Sequence, residues 1–156
     1  MHVTSSAPAR SAEWLSAAES IKQLKARYFR TLDTKDWTGF RAVFADDARI
    51  GPIESGLPSS MPPVADTRRP DQFVQQVQAR LAEVTSVHHG HMPEIELVSE
   101  SEARGVWAME DLLVFPAGAE LAQLRGYGHY HETYVRGADG WKIRTMRLSR
   151  LRVDLT

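Results

Sequence analysis

The second half of the chain decides the architecture: VHHGHMPEIELVS (Val87–Ser99), ARGVWAMEDLLVF (Ala103–Phe115), LAQLRGYGHYHETYV (Leu121–Val135) and WKIRTMRLSRLRV (Trp141–Val153). Each stretch is rich in the β-branched and aromatic residues that suit a pleated surface. Turn chemistry separates them: Glu100-Ser101-Glu102, then Pro116-Ala117-Gly118, then Gly137-Ala138-Asp139-Gly140. Connections this short join strands antiparallel, so the pattern predicts a four-strand meander. Strands this long must curve, and Gly105, Gly126 and Gly128 are the positions where bends are cheapest.

Upstream the periodicity changes from two to about 3.6. Between Ser11 and Leu32, Trp14, Ile21, Leu24, Tyr28 and Leu32 recur at helical spacing, with Ser11 as N-cap. Asp36 caps a second short helix carrying Trp37, Phe40, Val43 and Phe44, and Asp47–Ile53 has room for one short strand. Pro70-Asp71 opens a third helix with Phe73, Val74, Val77, Leu81 and Val84 on one side. Between these, Gly51–Pro70 holds five prolines and reads as a long loop, of the kind that serves as a lid. Three helices followed by an antiparallel sheet predict an α+β cone-shaped roll, with the helices packed against a strongly curved antiparallel sheet. The space between helices and sheet becomes a pocket for a small hydrophobic ligand.

Composition narrows the function classes. The formal net charge of −1 argues against a nucleic-acid partner, and the chain has no cysteine, which removes disulfides, thiolate catalysis and cysteine-ligated metals. No apolar run approaches a membrane span, so a membrane partner is not expected, and a cytoplasmic location is. Residues 1–10 read as a flexible tail and 11–156 as one domain.

Five of six histidines fall in two strand segments: His88, His89 and His91 in the first, His129 and His131 in the third. Histidine moves protons near neutral pH, and a neighbouring carboxylate orients it; Glu110 and Asp111 lie on the strand between. Strand parity puts His89 and His91 on one face and His88 on the other. It likewise separates His129 and His131 from Tyr130 and Tyr134, and groups Trp107, Met109 and Asp111. Parity does not say which face meets the ligand. His89-Gly90-His91 also raises a metal-ligating alternative, although its surroundings lack the spacing of the cupin motifs that it superficially resembles. Tyr28 and Asp33 form a further candidate pair at the end of the first helix. Arg144, Arg147, Arg150 and Arg152 alternate along the last strand, so one inward arginine could hold a carboxylate or enolate.

Ile21–Ile50, the His-His strand opening, Ala103-x-Gly-x-Trp107, Gly126-Tyr-Gly-His-Tyr-His-Glu-Thr-Tyr134 and Gly140-Trp-x-Ile143 together resemble the SnoaL-like proteins of the nuclear transport factor 2-like (cystatin-like) superfamily. The resemblance spans about Ala12–Val153. Within that superfamily the chain is similar to scytalone dehydratase and bile-acid 7α-dehydratase. The similarity implies a lyase or isomerase working without a cofactor on a cyclic hydrophobic substrate, such as a polyketide or steroid-like molecule. It implies Asp33, His88 or His89, Tyr28 and His129 as catalytic residues. Trp107, Met109, Asp111, Tyr130, His131, Arg147 and Arg150 would then contact the substrate, and the assembly would be a homodimer or homotrimer. The alternative is a non-catalytic binding or assembly module, such as the β-subunits of ring-hydroxylating dioxygenases.

Overall fold

The computed structural model describes residues 11–54 and 68–156, so most of the proline-rich loop lies outside the described residues. Helix α1 runs Ala12–Asp33, with the Ser11 side chain accepting the Trp14 N–H at 3.2 Å. Its buried stripe includes Ile21, Leu24, Lys25, Tyr28 and Leu32, as the spacing predicts apart from the lysine. Lys35, in the left-handed conformation (φ 60°), turns the chain into α2, Trp37–Ala42, whose cap is Asp36 Oδ1 on the Gly39 N–H at 2.9 Å. Helix α3, Pro70–Leu81, starts on its proline, a residue that lacks only an N–H the first turn could not use. It ends before Val84, which, expected on its apolar side, instead lies in the turn beyond it, buried against Leu113 and Leu124.

The strands are β1 (Phe44–Ile53), β2 (Thr85–Leu97), β3 (Glu102–Val114), β4 (Gln123–Gly137) and β5 (Gly140–Leu155). They form one curved sheet in the order β1-β5-β4-β3-β2. The meander β2–β5 is antiparallel, as expected, but β1 pairs parallel to β5, so the sheet is mixed and not wholly antiparallel. No hairpin links β1 to β5. The intervening α3 and three strands give a connection long enough for parallel pairing. Phe44, expected on the second helix, instead opens β1 and packs edge-on against Phe40 and Phe73.

Register fixes the two faces. Ala103, Trp107, Met109, Asp111 and Leu113 of β3 are buried, as are Leu124, Tyr130, Glu132 and Tyr134 of β4 and Ile143, Met146 and Leu148 of β5. These residues face the helices. Bulges interrupt β2 between Gly90 and Pro93, and the β4–β5 pairing between Tyr127 and Gly128. At Gly128 a Cβ atom would lie 2.0 Å from the Ser149 carbonyl oxygen, so only glycine permits that close approach.

Candidate active site

Helix α1 ends beside the start of β2, and its last residue meets that strand. The Asp33 carboxylate accepts three hydrogen bonds there. Oδ1 takes the Ser86 hydroxyl at 2.9 Å and His88 Nδ1–H at 2.6 Å, and Oδ2 takes the His88 backbone N–H at 2.8 Å. Lys35 Nζ donates to the same Ser86 oxygen at 2.8 Å, so the turn after α1 supports the carboxylate's partner. An acceptor at Nδ1 requires the proton on that nitrogen. Neutral His88 therefore presents a bare Nε2.

That Nε2 lies 3.9 Å from Asp111 Oδ2, which the β2–β3 register sets opposite His88. Asp111 is in turn held by Arg150 in a two-pronged pair, Nη1–Oδ1 at 3.0 Å and Nη2–Oδ2 at 2.6 Å. Arg150 comes from β5 and Asp111 from β3, with β4 between them. Gly126 of β4 makes the bridge possible. A Cβ there would fall 2.4 Å from both Arg150 Nη1 and Asp111 Oδ1. Beyond it, Arg150 Nε donates to the Glu54 carbonyl oxygen at 3.0 Å, and Glu54 Oε2 accepts the Arg150 backbone N–H at 2.7 Å. The result is one polar line, Ser86–Asp33–His88–Asp111–Arg150–Glu54. His88 and Asp111 are 8% and 6% exposed, and the line meets solvent at the Asp33 side chain, which is 21% accessible.

Aromatic groups wall this line. Phe29 stacks on the His88 ring (6.4 Å, 15°), and Tyr28 and Tyr130 meet edge-to-face at 5.7 Å. Burial pushes both phenols well above their ordinary range; the Asp111 charge adds to the rise at Tyr130. Both tyrosines therefore stay protonated. Met109 completes the wall, with its sulfur 3.5 Å from Arg150 Nη1, and Trp107 follows on the same face.

Other residues singled out in the sequence do not join the line. Only His88 of the five clustered histidines faces the helices. His89 is on the opposite face, its Nδ1 3.2 Å from Glu110, and His91 is exposed at the bulge. Among the described residues, no group of three or more histidines and carboxylates is arranged to hold a metal. Parity turns His129, His131 and Arg147 outward too: His131 Nε2 contacts the Ser149 hydroxyl at 3.1 Å, and Arg147 pairs with His131 in the register. Partial desolvation, then Arg147 and His129, hold the His131 pKa below its ordinary value. A cleft of about 820 Å³ bordered by Trp14, Lys22, Glu94, Arg104 and His131 touches none of Asp33, His88, Asp111 or Arg150. Size alone would favour the cleft. We place the site at the polar line because the convergent acid–base groups are there.

Ser86, Lys35, Glu54 and Gly126 escaped the sequence reading as site residues. Each supports another residue rather than carrying chemistry, and only register shows it.

Comparison with known proteins follows the same outline. The SnoaL-like domain family matches residues 13–147. The probable cyclase FGR4 of Gibberella zeae is 25% identical over 151 residues, covering 86% of this chain and 91% of its own. Two solved structures share the fold. One is a type 2 hexachlorocyclohexane dehydrochlorinase (LinA): TM-score 0.76, 17% identity, covering 92% of this chain and 91% of its own. The other is a protein of Novosphingobium aromaticivorans provisionally named a scytalone dehydratase: TM-score 0.77, 18% identity, covering 91% and 89%.

Proposed function

The chain belongs to the SnoaL-like domain family, and from that premise we propose that it is a lyase or isomerase in which His88 moves a proton on a small hydrophobic cyclic substrate. The observation that carries this reading is the saturation of Asp33. Three donors converge on one carboxylate, fix the imidazole tautomer, and leave Nε2 as the free base. Asp33 orients the base and is not itself the proton acceptor.

In the step we propose, His88 Nε2 takes a proton from the carbon next to a substrate carbonyl. The imidazolium so formed lies between the carboxylates of Asp33 and Asp111, which stabilise its charge. The carbonyl oxygen gains negative charge and accepts a hydrogen bond from the tyrosine pair. For dehydration, the imidazolium returns its proton to a hydroxyl on the next carbon. The C–O bond breaks, a C=C bond forms and water leaves. For isomerisation the proton returns to a different carbon. Phe29, Trp107 and Met109 supply the apolar walls that suit a cyclic hydrocarbon skeleton. A binding or assembly module has no use for a carboxylate spent on setting a histidine tautomer, which favours the catalytic reading.

The test is a panel of β-hydroxy cyclic ketones, followed by absorbance of the conjugated enone. The wild type is expected to turn over at least one member, and His88→Gln to lower kcat by about 100-fold or more. Turnover undiminished in His88→Gln would reject the assignment.

A further inference from the structure

Lys25 is the buried charged group that this mechanism leaves unused. It sits on the apolar stripe of α1, 1% exposed, where a lysine is costly unless it is paired. Its partner is Glu132 of β4, whose side chain is also fully buried and which bonds the ammonium directly. The other Glu132 oxygen accepts the Tyr134 hydroxyl at 2.5 Å, and Tyr134 in turn accepts the Trp107 indole N–H at 2.8 Å. Every member has a partner. Stability alone does not account for the network, since apolar residues of similar volume commonly fill a core as well or better.

Its placement relative to the tyrosines is the informative feature. Lys25 Nζ lies 3.6 Å from the Tyr130 ring centroid and 3.9 Å from that of Tyr28, with Phe29 at 4.9 Å. The helix dictates part of this, because Tyr28 and Phe29 follow Lys25 by three and four residues. Register dictates the rest: Glu132 follows Tyr130 by two on the inward face of β4. The cation therefore rests on two phenol rings that meet edge-to-face. A cation against a phenol ring draws electron density from its oxygen and makes the O–H a stronger donor. Glu132, Asp33 and Asp111 oppose negative charge near the pair, while Arg150 favours it at Tyr130.

Resting on the proton-transfer reading above, we infer that Lys25 is a positioning residue: it locks the Tyr28–Tyr130 pair against α1 and strengthens it as the donor to a substrate oxyanion. Glu132, as the paired counter-ion, keeps that ammonium charged in the core.

The test compares two ligands on the full chain, para-nitrophenolate as an oxyanion and nitrobenzene as its uncharged counterpart lacking the oxygen. Lys25→Met combined with Glu132→Gln removes both charges and keeps an acceptor for Tyr134. It is expected to lose roughly tenfold in phenolate affinity while nitrobenzene binding stays unchanged. Lys25→Arg, which keeps the charge, should retain most of the phenolate affinity. Lys25→Gln combined with Glu132→Gln, a neutral pair that can still hydrogen-bond across the same gap, should lose phenolate affinity in the same way and keeps the inference testable if the first double variant does not fold. Equal loss of both ligands, or unchanged phenolate affinity, in a folded neutral double variant overturns the role of Lys25. A wild type that binds phenolate no better than nitrobenzene instead rejects the tyrosine pair as an oxyanion donor. That result strikes the proposed mechanism itself.

Discussion

Replacing Asp33 by asparagine tests the site with the smallest possible change. The carboxylate accepts from Ser86 Oγ and His88 Nδ1 at one oxygen and from the His88 backbone N–H at the other. Asparagine offers one oxygen and one NH2 group, so one of two conflicts follows. With its oxygen toward Nδ1, the amide nitrogen faces the His88 backbone N–H, and two donors confront each other. With the amide reversed, His88 must give up its Nδ1 proton and carry it on Nε2, where the base is needed. A hydrogen bond to a charged group is worth about 1.5–3 kcal/mol. Asp33 keeps 21% of its side-chain surface accessible, so water recovers part of that loss. We expect about 1.5–2 kcal/mol of destabilisation, a fall in Tm of roughly 3–8 °C for a chain of this size. Calorimetry measures the first quantity, and long-range ¹H–¹⁵N NMR of the imidazole reads the tautomer. An Asp33→Asn protein with unchanged Tm and the Nδ1–H signal intact would refute the argument that this carboxylate fixes the base.

Four further outcomes follow from the same geometry. Gly126→Ala places a methyl 2.4 Å from the Asp111 and Arg150 contacts; it should part the ion pair, cost about 1–3 kcal/mol in denaturant unfolding, and reduce any turnover found. Lys25→Met alone strands the Glu132 carboxylate in the core, and urea unfolding should show a loss of about 3–5 kcal/mol, most of it recovered when Glu132→Gln is added. Because the His131 pKa lies below its ordinary 6.5 in the fold, acidification through that range protonates the unfolded chain first, so this contribution to stability is present above about pH 6.5 and lost as pH falls. Arg147→Gln, removing the second of its causes, should raise the His131 midpoint in an NMR titration without restoring it fully, since desolvation remains.

The helices and the meander were legible because they follow from short-range physics. Ser11 and Asp36 cap as their side chains dictate, and Pro70 starts α3 where a missing N–H does no harm. The parallel β1–β5 pairing was not legible, since nothing local to Phe44–Ile53 specifies which distant strand it will join or in what direction. Parity correctly separated His88 from His89 and His129 from Tyr130, but it gave two faces without naming the inner one. Burial supplies that answer. Tyr130, Glu132 and Tyr134 are inside with Asp111 and His88, and the histidines of β4 are therefore outside.

Glu132 shows why parity stopped short. A glutamate between a histidine and a threonine in HYHETYV reads as a solvent-facing residue, and Lys25 among Gln23, Lys22 and Arg27 reads as part of the polar face of a helix. Each is improbable in a core by itself, because an isolated buried charge is heavily penalised. Together they offset part of that penalty, but they are separated by 107 positions in the chain, and no local pattern links them. The same holds for Arg150 and Asp111, which meet only because Gly126 leaves room between their strands. Sites on this sheet are therefore set by register across neighbouring strands, with glycine marking where a side chain crosses from one strand to the next. A search for comparable chains should look for an inward carboxylate and arginine flanking a glycine on the strand between, with a histidine opposite that carboxylate and an aspartate at the end of α1 to orient it. Spacing within any one strand would miss all four.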